Sequence, residues 1–282
     1  MNEETGGPRV VLNNGVEIPQ VGFGVFQIPE EGAQSAVESA LAAGYRHIDT
    51  AAAYNNEAGV GAAIKASGIP RDEIFVTTKL RNGNQGTDSV RREYDGSRRA
   101  LGLDVIDLYL IHWPSPARNL YVDSWKTMEQ LYADGQIRAI GVSNFLQPHL
   151  DRLLAETDVV PAVNQIEIHP RFQQRDVVAH GRKSGIAEEA YSPLGQGTYL
   201  DNPAVTLIAD RLGVTPAQVV LRWHLQNGTI LIPKSENPER MRTNLDIFGF
   251  TLTDADISAI DALESNGRIG GDPMNAEWTQ IR

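Results

Sequence analysis

The sequence predicts an α/β protein: a (β/α)8 TIM barrel with an N-terminal β-hairpin and a C-terminal tail over the active-site face. Three observations predict it. Eight short runs rich in Val and Ile each precede a segment whose apolar residues recur at helical spacing. Several runs show little polar alternation, as strands buried on both faces of a parallel sheet do. Residues that carry chemistry recur at the ends of these runs, where the loops of such a barrel build a site. The rival is a doubly wound sheet. It calls for a G-x-G-x-x-G turn after the first strand, which this sequence lacks.

The opening VVLNNGVEIPQVGFG reads as two short strands about Asn14-Gly15, a dipeptide that tolerates positive φ. VGFGVF is the first barrel strand, and EGAQSAVESALAAG a helix that closes at Gly44. RHIDTA, IFVTTKL, DLYLIHW and IRAIGVSN follow as strands. Their helices are NEAGVGAAIKASG, TDSVRREYDGSRRALG, YVDSWKTMEQLYADG and PHLDRLLAET. AVNQIEI, IAEEAYS and TILIPKS are the last three strands. RDVVAHGRKSG follows the first of them, NPAVTLIADRLG and TPAQVVLRWHLQNG the second, and NPERMRTNLDIF the third. TDADISAIDALES adds a final helix, near whose start Asp254 and Asp256 read as capping charges. From about Asn266 onward the sequence is interrupted by Gly and Pro and reads as a loop over one face. No linker or repeat divides the chain, so residues 1–282 read as one barrel domain.

The bulk composition excludes several classes. The 282 residues carry a net charge of −11, which argues against nucleic-acid binding. With no cysteine, disulfides, thiolate metal sites and Cys nucleophiles are ruled out, and no metal cluster is evident. The N-terminal segment lacks the basic and apolar regions of a signal peptide, and no apolar run approaches a membrane span. A cytoplasmic protein with no membrane association is the expectation.

Asp49, Lys79 and His112 lie at the ends of successive strand-like runs, with Tyr54 just beyond the first. Asp49 and Lys79 are 30 residues apart, and Lys79 and His112 are 33 apart. One strand, one helix and two turns take about that many residues. Two buried charges on neighbouring strands most plausibly pair. An ammonium beside a phenol favours the phenolate, so Lys79 is expected to lower Tyr54 from its free pKa of about 10. His112 is placed to donate a hydrogen bond to a substrate oxygen. These groups polarise and protonate a carbonyl but supply no electrons, which must come from a bound cofactor. Other strand ends add Ser143, Asn144, Gln165, Tyr191, Lys234 and Ser235.

The segments GYRHIDTAAAYNNEAGVG, VTTKL, LGLDVIDLYLIHWP, IRAIGVSNF, PAVNQIEIHP, AYSPLGQG, TPAQVVLRWHLQNG and IPKSENPERMRTNLDIF resemble the aldo-keto reductase family, in family order, from about residue 10 to residue 265. VGFGVFQIP and AYSPLGQG are most similar to its bacterial branch, which resembles 2,5-diketo-D-gluconic acid reductase. The resemblance implies a catalytic tetrad of Asp49, Tyr54, Lys79 and His112, with Tyr54 the general acid in reduction. It implies that NADPH binds with its carboxamide at Ser143, Asn144 and Gln165 and its ring on Tyr191. Its pyrophosphate would meet Ser192, Pro193, Leu194, Gly195 and Gln196. Lys234, Ser235 and Arg240 would hold the 2′-phosphate, and Asn244 the adenine. Phe26, Arg81, His112 and Trp113 would face a small carbonyl substrate, and the chain would act as a monomer.

Three positions depart from the family. Thr243 replaces an acid and is expected to loosen adenine binding. Arg81 replaces a tryptophan, and its cation either favours acidic substrates or is solvated. Glu188 stands where relatives often have an apolar or small residue. Phe23 and Trp278 either line the pocket or pack, while His47, His149, His169, His180 and His224 read as structural or exposed. The activity expected is NADPH-dependent reduction of aldehydes, ketones or keto-sugars. One alternative makes Lys79 a Schiff-base nucleophile, which needs a depressed pKa. Another is an NADPH-binding regulatory subunit that senses redox state with little turnover.

Overall fold

A computed structural model describes residues 6–276. Strands β1 (Arg9–Val11) and β2 (Glu17–Pro19) pair antiparallel about Asn14-Gly15 and form the hairpin. Eight parallel strands follow in chain order: β3 (Phe23–Gly24), β4 (His47–Asp49), β5 (Phe75–Leu80), β6 (Ile106–Ile111), β7 (Ile137–Ser143), β8 (Val163–Glu167), β9 (Ala187–Tyr191) and β10 (Ile230–Leu231). The sheet curls until its edges meet. Val21 bridges Leu231 in parallel, the Gly22 N–H donates to the Leu231 carbonyl at 2.8 Å, and the Gly24 N–H to that of Pro233 at 3.2 Å.

Helices α1 (Glu30–Ala43), α2 (Glu57–Ser67), α3 (Thr87–Leu101), α4 (Tyr121–Ala133), α5 (Gln147–Glu156) and α6 (Arg175–Lys183) alternate with the strands. Helices α7 (Pro203–Leu212) and α8 (Pro216–Gln226) separate β9 from β10, and α9 (Pro238–Leu245) and α10 (Asp254–Asp261) follow. Local chemistry sets their ends. Helix α1 stops at Gly44, whose φ of 109° suits a residue without a Cβ. Asn202, Thr215, Asn237 and Thr253 cap the last four helices through their side chains, the first three followed by proline. Asp256 completes the Thr253 capping box and also pairs with Arg211 at 2.6 Å, which ties α10 to α7. No single helix among the described residues is long and apolar enough to cross a membrane.

The first and last barrel strands are shorter than the runs VGFGVF and TILIPKS predict. Gly22 and Gly24 let the chain pass close to the neighbouring strands: a Cβ on Gly22 would lie 2.5 Å from the His47 ring. Pro233 supplies no amide to extend the ladder.

One large apolar layer lies between strands and helices. A smaller cluster joins Leu12 and Ile18 of the hairpin segment to Phe75, Leu108, Leu110, Ala139, Val163 and Ile230. The hairpin therefore plugs the N-terminal end of the barrel. The interior beyond this plug is polar: His47, Asp49, Thr77, Lys79, Gln165 and Glu189 are all buried there.

Candidate active site

Side chains alternate along a strand, so residues two apart share a face. Asp49 on β4 and Lys79 on β5 both point inward and form an ion pair at 2.6 Å. The Lys79 ammonium also donates to the Thr50 carbonyl at 2.9 Å and to the Tyr54 hydroxyl at 3.4 Å. Its three hydrogens are thus all placed.

Tyr54 ends a single 3-10 turn, Ala52–Tyr54, which Asn55 closes in the left-handed conformation. That turn carries the ring back over Lys79, 5.1 Å from the ammonium. Asn56 holds the turn in place. It accepts from Thr50 Oγ1 at 2.8 Å and donates to the carbonyls of Val25 and Ile28 at 3.0 Å each. Phe26 and His112 flank the phenol, with ring centroids 5.1 and 5.6 Å away. The tetrad suggested by strand-end spacing therefore converges on one point.

Burial opposes the Lys79 charge, but Asp49 and then Tyr54 outweigh it and hold Lys79 above its ordinary pKa. A Schiff-base nucleophile needs the reverse. Burial likewise raises Asp49, against the pull of Lys79 and Gln165. The expectation of a depressed phenol is corrected, although Lys79 does pull in that direction. Burial is the largest effect on the phenol, and the Asp49 charge adds to it, so Tyr54 lies above its ordinary value despite Lys79. It holds its proton, as a donor must. Burial, then Lys79 and Arg81, push His112 down to about 3, so the imidazole is neutral.

A second group of expected residues adjoins the first. Asn144, left-handed at φ 62°, donates to Ser143 Oγ and to the His112 carbonyl at 3.0 Å each. It accepts from the Tyr191 hydroxyl at 2.8 Å. Ser143 Oγ donates to the Gln165 carbonyl at 2.8 Å. Gln165 Nε2 donates to Asp49 Oδ2 at 2.7 Å, which joins this group to the ion pair.

Beyond β9, Ser192, Gly195 and Gln196 all have positive φ, and Pro193 O accepts from Tyr199 and His224 at 3.1 Å each. Runs that include left-handed residues form concavities suited to anions. Leu194 packs at the edge of the main core. Lys234 and Ser235 precede α9, and Arg240 lies in its first turn. Lys234 pairs with Glu236 at 2.7 Å, and Ser235 Oγ accepts from the Asn237 N–H at 3.1 Å. Asn244 is buried on the same helix, and Thr243 turns back to the Glu239 carbonyl at 3.0 Å.

Among the expected substrate-facing residues, Trp113 is buried and Phe26 is 55% exposed. Phe23 is buried edge-on against Tyr45, which makes it a packing residue. Trp278 lies outside the described residues. Arg81 is partly exposed but not free: it donates to the Ala52 carbonyl, to Asn55 Oδ1 at 2.9 Å and to Glu93 Oε1 at 3.3 Å. The Glu188 departure also has a physical account, an outward ion pair with Arg182 at 3.0 Å.

Sequence reasoning missed two buried acids. Glu189 lies one residue from Glu188, on the inward face of β9, and accepts from Gln165 Nε2 at 3.1 Å. Glu167, at the end of β8, accepts from His169 at 3.1 Å and from the Ile269 and Gly270 N–H groups at 2.6 Å each. That acid fastens the C-terminal loop beside Tyr191. The period-two pattern in VNQIEIH, with Gln165 inward, was the available signal for Glu167.

Residues 20–265 match the sequence model of the Aldo/keto reductase family. The chain is similar to an aldo-keto reductase of Mycolicibacterium smegmatis, 53% identical over 272 residues, covering 96% of this chain and 99% of the relative. It is 48% identical over 266 residues to the glyoxal reductase of Bacillus subtilis, covering 94% and 95%. A solved mutant of Gox0644 in complex with NADPH superposes with a TM-score of 0.92 at 46% identity, covering 95% of this chain and 98% of that one.

Proposed function

Since the chain belongs to the aldo/keto reductase family, and its buried site is built to give up a proton, we propose that it is an NADPH-dependent reductase of aldehydes, ketones or keto-sugars with Tyr54 as the general acid. One observation carries the reading: the Tyr54 hydroxyl lies 3.4 Å from an ammonium that Asp49 holds charged in a buried setting.

The donor set fits NADPH. Amide and hydroxyl groups at Ser143, Asn144 and Gln165 suit a carboxamide, and Tyr191 offers an aromatic face. The Ser192–Gln196 loop, left-handed at Ser192, Gly195 and Gln196, suits a pyrophosphate. Lys234, Ser235 and Arg240, at the capped start of α9, suit a phosphate monoester, and Asn244 an adenine. When bound, NADPH supplies the hydride for the carbonyl carbon.

This chain's own residues handle the oxygen. Tyr54 donates its proton as negative charge develops there, and neutral His112 donates a hydrogen bond. Lys79 stabilises the phenolate left behind, and Asp49 keeps Lys79 charged and aimed. In alcohol oxidation the same phenolate is the base. The same reading takes the chain as a single-domain monomer acting on small carbonyl compounds.

A panel of carbonyl substrates with NADPH and NADH side by side tests the proposal. NADPH-dependent turnover is expected, lost in Tyr54→Phe with NADPH binding retained. Normal aldehyde reduction by Tyr54→Phe would overturn the role of Tyr54. A wild-type chain that binds NADPH but turns over no aldehyde would favour the sensor alternative.

A further inference from the structure

Glu189 is a fully buried carboxylic acid in the barrel interior that the proton-transfer scheme does not use. Its direction is fixed by register, because it pairs with Gln165 on β8 and Ile230 on β10, while Glu188 faces outward to Arg182. From β8, Gln165 Nε2 donates to its Oε2 at 3.1 Å. From β4, His47 Nε2 stands 3.6 Å from its Oε1, too far for a good hydrogen bond. Asp49, Lys79 and Tyr54 are the other titratable groups whose fields couple to it.

The charges here do not balance if Glu189 is ionised. Lys79 is already matched by Asp49 at 2.6 Å. His47 is no cation, because burial pushes it down to about 3, and it bonds Thr77 Oγ1 at 3.1 Å. An ionised Glu189 is therefore an unmatched charge in the protein interior, at a cost of several kcal/mol. A bound proton removes that cost.

Gln165 is held from two sides. One Nε2 hydrogen goes to Asp49 Oδ2 at 2.7 Å and the other to Glu189 Oε2 at 3.1 Å. Turning the amide over would aim its oxygen at the Asp49 carboxylate, which has no hydrogen to give, and would take from Glu189 Oε2 the donor it has. We propose that Glu189, carried as the neutral acid, is a positioning residue that locks the Gln165 amide with its nitrogen inward, leaving the amide oxygen to accept from the cofactor's carboxamide. This rests on the reading of Gln165 as a nicotinamide contact. Burial, and then the Asp49 charge, push the Glu189 carboxyl up to about 8, which agrees with the charge count.

The test measures dissociation constants for NADPH and for 2′,5′-ADP, which lacks the nicotinamide, in wild type, Gln165→Ala, Glu189→Met and Glu189→Gln. Glu189→Met is expected to weaken NADPH by about two- to tenfold, the worth of one neutral hydrogen bond. It should leave 2′,5′-ADP unchanged, and Glu189→Gln, which keeps an acceptor, should restore NADPH binding. A purely structural defect would weaken both ligands and would overturn the positioning role. If Gln165→Ala weakens NADPH and Glu189→Met does not, Glu189 has no such role. If Gln165→Ala itself has no effect, the reading of Gln165 fails instead. Should Glu189→Met not fold, infrared spectra of wild type and Glu189→Gln near neutral pH decide the charge state. A protonated-carboxyl band present only in wild type supports the neutral acid, and its absence overturns it.

Discussion

Arg81 and Glu93 face each other at 3.3 Å across the start of α3, and the rest of the Arg81 fork grips the turn that carries Tyr54. Its charge is committed before any substrate arrives. Arg81→Ala is therefore expected to act on the position of Tyr54 more than on substrate charge. The expected loss is about two- to tenfold in kcat, with little change in KM. The ratio of kcat/KM for a keto acid and its methyl ester should barely move. Steady-state kinetics on that pair checks both, and selective loss of the acid would show that Arg81 reads substrate charge.

The Asp49–Lys79 pair has a different signature. Removing one partner leaves a buried charge uncompensated, which costs about 3–5 kcal/mol. Lys79→Met is expected to unfold at correspondingly lower urea and to lose turnover. The double variant Asp49→Asn, Lys79→Met should regain much of the stability and none of the activity. Urea titration beside an activity assay separates the two roles.

Stability should fall on both sides of an optimum pH. His47, His112 and His224 are each held at about 3 in the fold, against an ordinary value of 6.5. Between those values the unfolded chain takes up protons that the folded chain refuses. Each histidine then removes up to about 1.4 kcal/mol per pH unit as pH falls below 6.5. Glu189 acts in the opposite sense. Its folded value of about 8 exceeds the ordinary 4.5, so stability present below 4.5 is lost as pH rises through 8. Urea midpoints from pH 4 to pH 9 should show both limbs, and Glu189→Gln should flatten the alkaline one.

The C-terminal loop depends on Glu167. Charge-assisted hydrogen bonds are worth about 1.5–3 kcal/mol, so Glu167→Gln should raise amide exchange at Ile269 and Gly270 by about ten- to a hundredfold. Barrel-strand amides should stay protected. Hydrogen exchange resolved by residue reads both. Gly270→Ala should loosen the same contact, since its Cβ would lie 2.7 Å from Glu167 Oε2.

Strand order and the convergence of Asp49, Tyr54, Lys79 and His112 were legible because each depends on local pattern. Apolar runs mark the strands, and a charge directly after one needs a partner on its neighbour. What was hidden depends on sums or on distant meetings. IAEEAYS shows two adjacent acids, and only the register with β8 tells that Glu189 faces in and Glu188 out. Lys79 beside Tyr54 suggests a depressed phenol, yet burial and the Asp49 charge reverse the net effect. Arg81 looked free because Glu93 lies on the next helix, and no spacing rule brings the two together.

The Glu167 fastening acts on main-chain N–H groups at 269 and 270 and, beyond Gly270 and the exclusion of proline at 269, makes no demand on which side chains the loop displays. The loop can drift, be mutated or be exchanged with that of a relative while the anchor persists. The stretch beside Tyr191 can thus vary in side chain while its main-chain anchor to the barrel stays in place.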